Sequence, residues 1–279
     1  ADGEDGTDAN ETRVAELEAE VEMLLETIAA LQSEIDELSV IDWSYMNLEG
    51  ANLSGTDLRG ARLVNTNFLL ADMRGSVLDG ADLLGASLTP RYSTGMSATN
   101  LVNCPSSFSP NFGCLNNNMV GSSILTLNAN LTNVDFWGTN LEFANLSGSD
   151  LSGSNLIANM DNLIAMNLQG CPETLSSQHR CLNYNIVGPD IYAWGANLSG
   201  ADLTFMNLRG ATLPFTDLSF ADLTGVSDAF FAYFNDANLE RAILSDGDFN
   251  NAFFTNANLN NSDLSFAVFF NAYFANASM

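Results

Sequence analysis

From Ile41 onward the apolar positions follow neither the helical spacing of about 3.6 residues nor the alternation of a strand. They recur every five residues: MNLEG ANLSG TDLRG ARLVN TNFLL ADMRG SVLDG ADLLG ASLTP. The centre of each unit is large and apolar (Leu48, Leu53, Leu58, Leu63, Phe68, Met73), and the residue two before it is usually small (Ala51, Thr56, Ala61, Thr66, Ala71). A small/large pair held at this interval marks a repeat architecture. Near the C-terminus the same beat places Phe234, Phe254 and Phe274 at intervals of twenty, with Phe249 and Phe269 keeping that interval between them.

A different pattern precedes the repeats. In RVAELEAEVEMLLETIAALQSEIDELSV the apolar residues Val14, Leu17, Val21, Leu24, Ile28, Leu31, Ile35 and Leu38 are spaced alternately by three and four, with β-branched residues at a and Leu at d. This is a coiled-coil seam over residues 13–40, roughly 40 Å long. The stripe could cap the chain's own repeats, but a strict heptad period argues for partner helices. β-Branched a and Leu d favour two chains. Against that, Arg13-Val14-Ala15-Glu16-Leu17-Glu18 resembles a short trimerisation motif and Leu25 widens the apolar face, which tips the expectation to three.

The repeat resembles the pentapeptide-repeat family, whose A(D/N)LXX units stand almost verbatim in GANLSGADL at residues 195–203. The resemblance implies an all-β solenoid, a right-handed four-sided parallel β-helix in which each pentapeptide forms one face and four complete a coil. Residues twenty apart then stack, so Phe234, Phe254 and Phe274 form one internal column and Phe249 and Phe269 another. Leu239, Leu259 and Met279 make a third, and Leu244 with Leu264 the fourth. Stacked coils pair their backbones at about 4.8 Å. The domain order expected is an acidic tail over 1–12, a coiled-coil helix over 13–40 and a β-helix over 41–279.

Two interruptions match each other: NLVNCPSSFSPNFGCLNNNMVG at 100–121 and NLQGCPETLSSQHRCLNYNIVG at 167–188. Cysteine-loop insertions are therefore expected near 90–122 and 169–193, as an internal duplication. Four cysteines allow three pairings, and the repeated spacing favours local Cys104–Cys114 and Cys171–Cys181 bridges, each contributing about 2–3 kcal/mol. Zinc would need shorter Cys spacing or added His, and the single histidine, His179, reads as a solvated loop residue. Disulfides place the protein outside the cytoplasm, extracellular or at the cell surface, and Ala1 at the start fits a chain whose signal peptide has been removed.

Charge narrows the function classes. With 34 acidic residues against 8 basic and a net charge of −26, the chain should repel nucleic acid and anionic membranes. No apolar run approaches the roughly 18 residues that span a bilayer. Asp2, Asp5 and Asp8 could offer oxygens to a calcium ion, although their spacing departs from the Asp-x-Asp-x-Asp-Gly loop. No other cofactor is expected. Catalysis lacks a motif: His179 has no recognisable nucleophile partner, and no phosphate loop follows a strand. Asp57, Asp72, Asp82, Asp150, Asp202, Asp217, Asp222 and Asp263 immediately precede large apolar residues, a position the resemblance directs outward.

The same assignment puts Tyr233, Phe253 and Tyr273 outside as an aromatic ladder, with Phe266, Phe270, Phe205, Phe215, Phe220, Trp137 and Phe143 also facing out. A contiguous apolar patch of this kind marks a protein contact. The repeats run to Ala277-Ser278-Met279, and uncapped coils favour stacking between molecules. The expectation is a non-enzymatic structural protein that self-assembles into a fibre or stalk. The alternatives are an adhesive module on a stalk, for a glycan or surface-protein ligand, and an acidic DNA mimic occupying a topoisomerase, as some members of the family do.

Overall fold

The computed structural model describes residues 5–279, with side chains described for 13–31 and 40–279. Two compact units divide between Asp42 and Trp43.

The first contains helix α1, Asp5–Ser39. It begins well before Arg13, so the segment expected to be a tail is helical from Asp5. The reason lies in its composition: Asp5, Asp8 and Glu11 favour the positive end of a helix dipole, and no proline interrupts them. Among the described residues, no helix is long and apolar enough to cross a membrane.

The second unit is a parallel β-solenoid. Isolated parallel bridges join residues about twenty apart and recur every five residues: Asn47 to Asn67, Asn52 to Asp72, Asp57 to Val77, Arg62 to Asp82, then Asn67 to Ser87. Four pentapeptides therefore lie between paired residues. Within each unit the small residue closes a turn, as where the amide of Ala51 donates to the carbonyl of Leu48 at 3.0 Å. The large residue donates to the next coil, as from Leu48 to the carbonyl of Asn67 at 2.8 Å. Both side chains point inward, and Leu58, Ala61, Leu63 and Phe68 are fully buried. The phenylalanines stack as the twenty-residue spacing requires. Phe234, Phe254 and Phe274 lie 4.9 Å apart, and Phe249 and Phe269 lie 5.3 Å apart. The two columns meet edge to face, with Phe249 and Phe254 at 5.9 Å, the arrangement aromatic quadrupoles favour.

Most turns of the solenoid include one residue in the left-handed region. Gly, Asn and Asp hold many of these positions, but Phe143, Phe205, Phe215, Phe220, Phe231 and Phe266 occupy it at φ of 57–59°. A bulky side chain is disfavoured there.

The first insertion is shorter than residues 90–122. The coil register continues through bridges at Tyr92, Ser97 and Asn103, because Pro90 and Arg91 break the side-chain pattern without breaking the backbone ladder. Departure comes with a hairpin, Phe112–Leu115 against Asn118–Gly121. Its duplicate pairs Arg180–Leu182 with Asn185–Val187. The second strand of each hairpin belongs to the solenoid wall: Met119 and Ile186 donate to the carbonyls of Ala98 and Ala165, and both side chains are buried.

The paired motif Leu-Asn-x-Asn explains how. Asn118 is buried, its Oδ1 accepts from the amide of Asn100 at 2.8 Å, and its Nδ2 donates to the carbonyls of Asn116 and Asn130. Asn185 repeats the arrangement with Asn167, Asn183 and Asn197. One side chain thus ties the hairpin to the coils on both sides. Replacing Asn118 by Ala removes the three hydrogen bonds of this buried side chain and should lower stability by about 1–3 kcal/mol. Urea unfolding of the non-reduced protein measures this; an unchanged midpoint would show that Asn118 carries no such load.

Candidate assembly surfaces

Helix α1 presents Val14, Leu17, Val21, Leu24, Leu25, Ile28 and Leu31, each between 45% and 59% exposed. Ile35 and Leu38 lie outside the residues whose side chains are described, as do Asp2, Asp5 and Asp8. Arg13 pairs with Glu16 at 3.1 Å on the polar side.

On the solenoid, Tyr233, Phe253 and Tyr273 occupy successive bridge positions. Their rings stack at 4.7 and 5.0 Å with planes 8° apart. Each ring covers the face of its neighbour, so the ladder shows solvent mainly edges and the tyrosine hydroxyls. Phe231 lies beside it, 6.4 Å from Phe253. Met279 is exposed on the last coil. Phe205, Phe215, Phe220, Trp137, Phe143, Phe266 and Phe270 are also exposed.

The ladder is longer than the twenty-residue spacing suggests. Tyr233 bridges to Thr212, and Thr212 to Tyr192. The amide of Tyr192 donates to the carbonyl of Leu163, which carries the column on to Ile164; from there bridges reach Asn145 and Leu125. Trp194 adjoins Tyr192 and stacks on Phe215 at 5.4 Å. Sequence reasoning missed Ile164, Tyr192 and Trp194 because the second cysteine loop makes the step from Ile164 to Tyr192 28 residues, and one extra residue makes the next step but one 21. The signal that could have found them is the Asn-Ile-Val-Gly end of the loop, after which the five-residue beat resumes.

The outward carboxylates have a local task. Oδ1 of Asp57, Asp82, Asp150, Asp202, Asp217, Asp222 and Asp263 accepts from the amide two residues on, at 2.9–3.1 Å, the Asx turn that favours Asp and Asn in such loops. The Ser152 and Thr204 hydroxyls hold the Asp150 and Asp202 carboxyls below their ordinary range, the Arg74 guanidinium does so for Asp72, and the Ser265 amide for Asp263. These groups shape turns. Among the described residues, no cluster of three His, Cys, Asp or Glu could hold a metal ion.

A family model for pentapeptide repeats matches residues 42–68, 61–89, 128–157 and 195–227, in eight copies. This is a pentapeptide-repeat protein. Pentapeptide repeats fold as right-handed β-helices. Similar solved structures include HetL, a pentapeptide repeat protein involved in heterocyst differentiation regulation from the cyanobacterium Nostoc sp. strain PCC 7120, at 24% identity over 84% of each chain and a TM-score of 0.28. Rfr23 from the cyanobacterium Cyanothece 51142 is 19% identical over 55% of this chain and 89% of its own, with a TM-score of 0.24. QnrB1, a plasmid-mediated fluoroquinolone resistance protein, is 17% identical over 84% of this chain and 94% of its own, at 0.19. No curated protein matches the chain.

Between the pentapeptide repeats, both cysteine loops are closed by local disulfides, Cys104–Cys114 and Cys171–Cys181, with Cα atoms 6.1 and 6.0 Å apart. Phe112 in the first loop is replaced by His179 in the second. Both residues end the same turn, donating to the carbonyls of Ser109 and Ser176. Phe112 packs on the core. His179 is half-buried rather than solvated: its Nδ1 lies 2.6 Å from Ser176 Oγ and its Nε2 3.3 Å from the Pro189 carbonyl. Burial pulls its pKa down, against the Pro189 carbonyl and the charges of Asp161 and Asp190.

The folded protein therefore favours neutral His179, while the unfolded chain takes up a proton near pH 6.5. Its contribution is present above that pH and is lost as pH falls from there towards the lower folded value. His179→Phe copies the first loop and removes this dependence. The Tm of the variant relative to wild type should rise between pH 7 and pH 5, and a difference that stays constant would refute the assignment.

Proposed function

We propose that the protein is a non-enzymatic structural subunit, extracellular or at the cell surface, that assembles with copies of itself. In this reading α1 forms a coiled coil, and the four-sided β-helix supplies a second contact through its aromatic face. The observation that carries it is the exposed seam of α1. Helices in water gain most of their stability by packing an apolar face, and this one keeps Val14, Leu17, Val21, Leu24, Ile28 and Leu31 in coiled-coil register and exposed. The polar side offers little compensation, since carboxylates dominate it.

Two self-complementary surfaces on one chain propagate an assembly unless their symmetry axes close it. A fibre is therefore the form favoured over an isolated pair. The two disulfides support a location outside the cytoplasm. A glycan ligand fits the ladder less well, because rings that bind sugars offer their faces, and the inner faces here are taken up by stacking.

Electron microscopy of the non-reduced protein over a concentration range, with mass determination alongside, tests the reading. Uniform fibres or oligomers whose mass grows with concentration are expected; a monomer at every concentration would refute it. Placing charge in the seam with Leu17→Glu and Leu24→Glu should lower the assembly's mass while leaving the β-helix circular dichroism unchanged. An unaltered mass would remove α1 from the assembly.

A further inference from the structure

The bridge columns of the solenoid differ in charge. Asp72, Asp82, Asp150, Asp202, Asp217 and Asp222 all stand at bridge positions, and each lies outside the column of Tyr233. That column runs from Val77 through Ser97, Leu125, Asn145, Ile164, Tyr192, Thr212 and Tyr233 to Phe253 and Tyr273 without a carboxylate, and its acidic bridge position, Asp57, stands beyond Val77 at the end remote from the aromatic ladder. In a chain of net charge −26, such a run has an electrostatic consequence. Two copies brought together on an acidic column would press like charges into a shrinking layer of water, which costs free energy. Along this column alone the approach carries no such cost at the line of contact. Asp161, Asp190 and Asp236 flank it at the turns, where a rim stays hydrated.

Shape and polarity agree. Trp194 and Phe215, stacked on each other and each 53% exposed, widen the stripe on one side. Phe231 and Phe143 widen it on the other. At its lower end Phe143, Asn162, Ile164 and Tyr192 line a cleft of about 250 Å³ with a mostly apolar wall, room for a large side chain from outside. The aromatic part is a ladder of ring edges at close to 5 Å. Ladders of this kind interdigitate with copies of themselves into dry contacts.

We infer that this face is the lateral interface, and that its occupant is the same face of a second copy of the chain. The stripe spans Phe143 to Tyr273, so the contact is several coils longer than the Tyr233, Phe253 and Tyr273 ladder. The inference rests on the self-assembly reading and deepens it by naming the contact.

The test uses the full chain carrying Leu17→Glu and Leu24→Glu, so that α1 does not drive association. Sedimentation equilibrium over a hundredfold concentration range should still show reversible growth in mass. Adding Tyr192→Asn, Trp194→Ser and Tyr233→Asn, substitutions at outward positions, should weaken it by at least tenfold. Adding Phe205→Asn and Phe266→Asn instead, at exposed turns away from the column, should leave it unchanged; circular dichroism and intact disulfides verify the fold of each protein. A seam variant that is monomeric while wild type assembles overturns the inference and leaves the self-assembly reading standing. Equal association with and without the three face substitutions overturns it too, as does loss on the control substitutions. A monomeric wild type overturns both.

Discussion

Main-chain hydrogen bonds between successive coils are the constraint on which the rest of the solenoid depends. Donors such as Leu48, Leu53 and Leu58 reach carbonyls on the next coil at 2.7–2.9 Å, and they demand nothing of the outward side chains. Inside, the demand is severe: two side chains per pentapeptide share a narrow space, so one must be small and the other large. The inner sequence is consequently monotonous, and the outer sequence is free to carry information about partners.

That freedom is used in two ways. Where Asp or Asn stands at a bridge position, its side chain caps the following turn and brings charge or polarity to the surface. Where an aromatic or aliphatic residue stands there, as at Ile164, Tyr192 and Tyr233, the turn forgoes that cap and the surface becomes apolar. The exchange is local and repeated coil by coil. A face is thereby written into the chain without altering the core beneath it.

Much of this was legible from the residues. The alternation of Ala61 with Leu63, or Ala71 with Met73, reports the interior directly because steric exclusion acts on each unit separately. The matching cysteine loops were legible as a duplication and their local pairing as the simpler one. Less visible was the helix starting at Asp5, since an acidic, glycine-containing stretch resembles a solvated tail until the helix behind it supplies hydrogen-bonded turns. The role of Asn118 was hidden because burial of an amide depends on a hairpin that no local propensity announces. The full reach of the aromatic face was hidden for a geometric reason: neighbours across the second loop are adjacent in space and distant along the chain.

The phenylalanines at positive φ give the surface a further meaning. Phe143, Phe215 and Phe231 border the apolar stripe in a backbone conformation that Gly or Asn adopts with less strain, and their rings are about half exposed. Asn or Gly at these three positions would ease the backbone and at the same stroke remove the apolar border of the stripe, so backbone comfort and surface character are set against each other at the same residues.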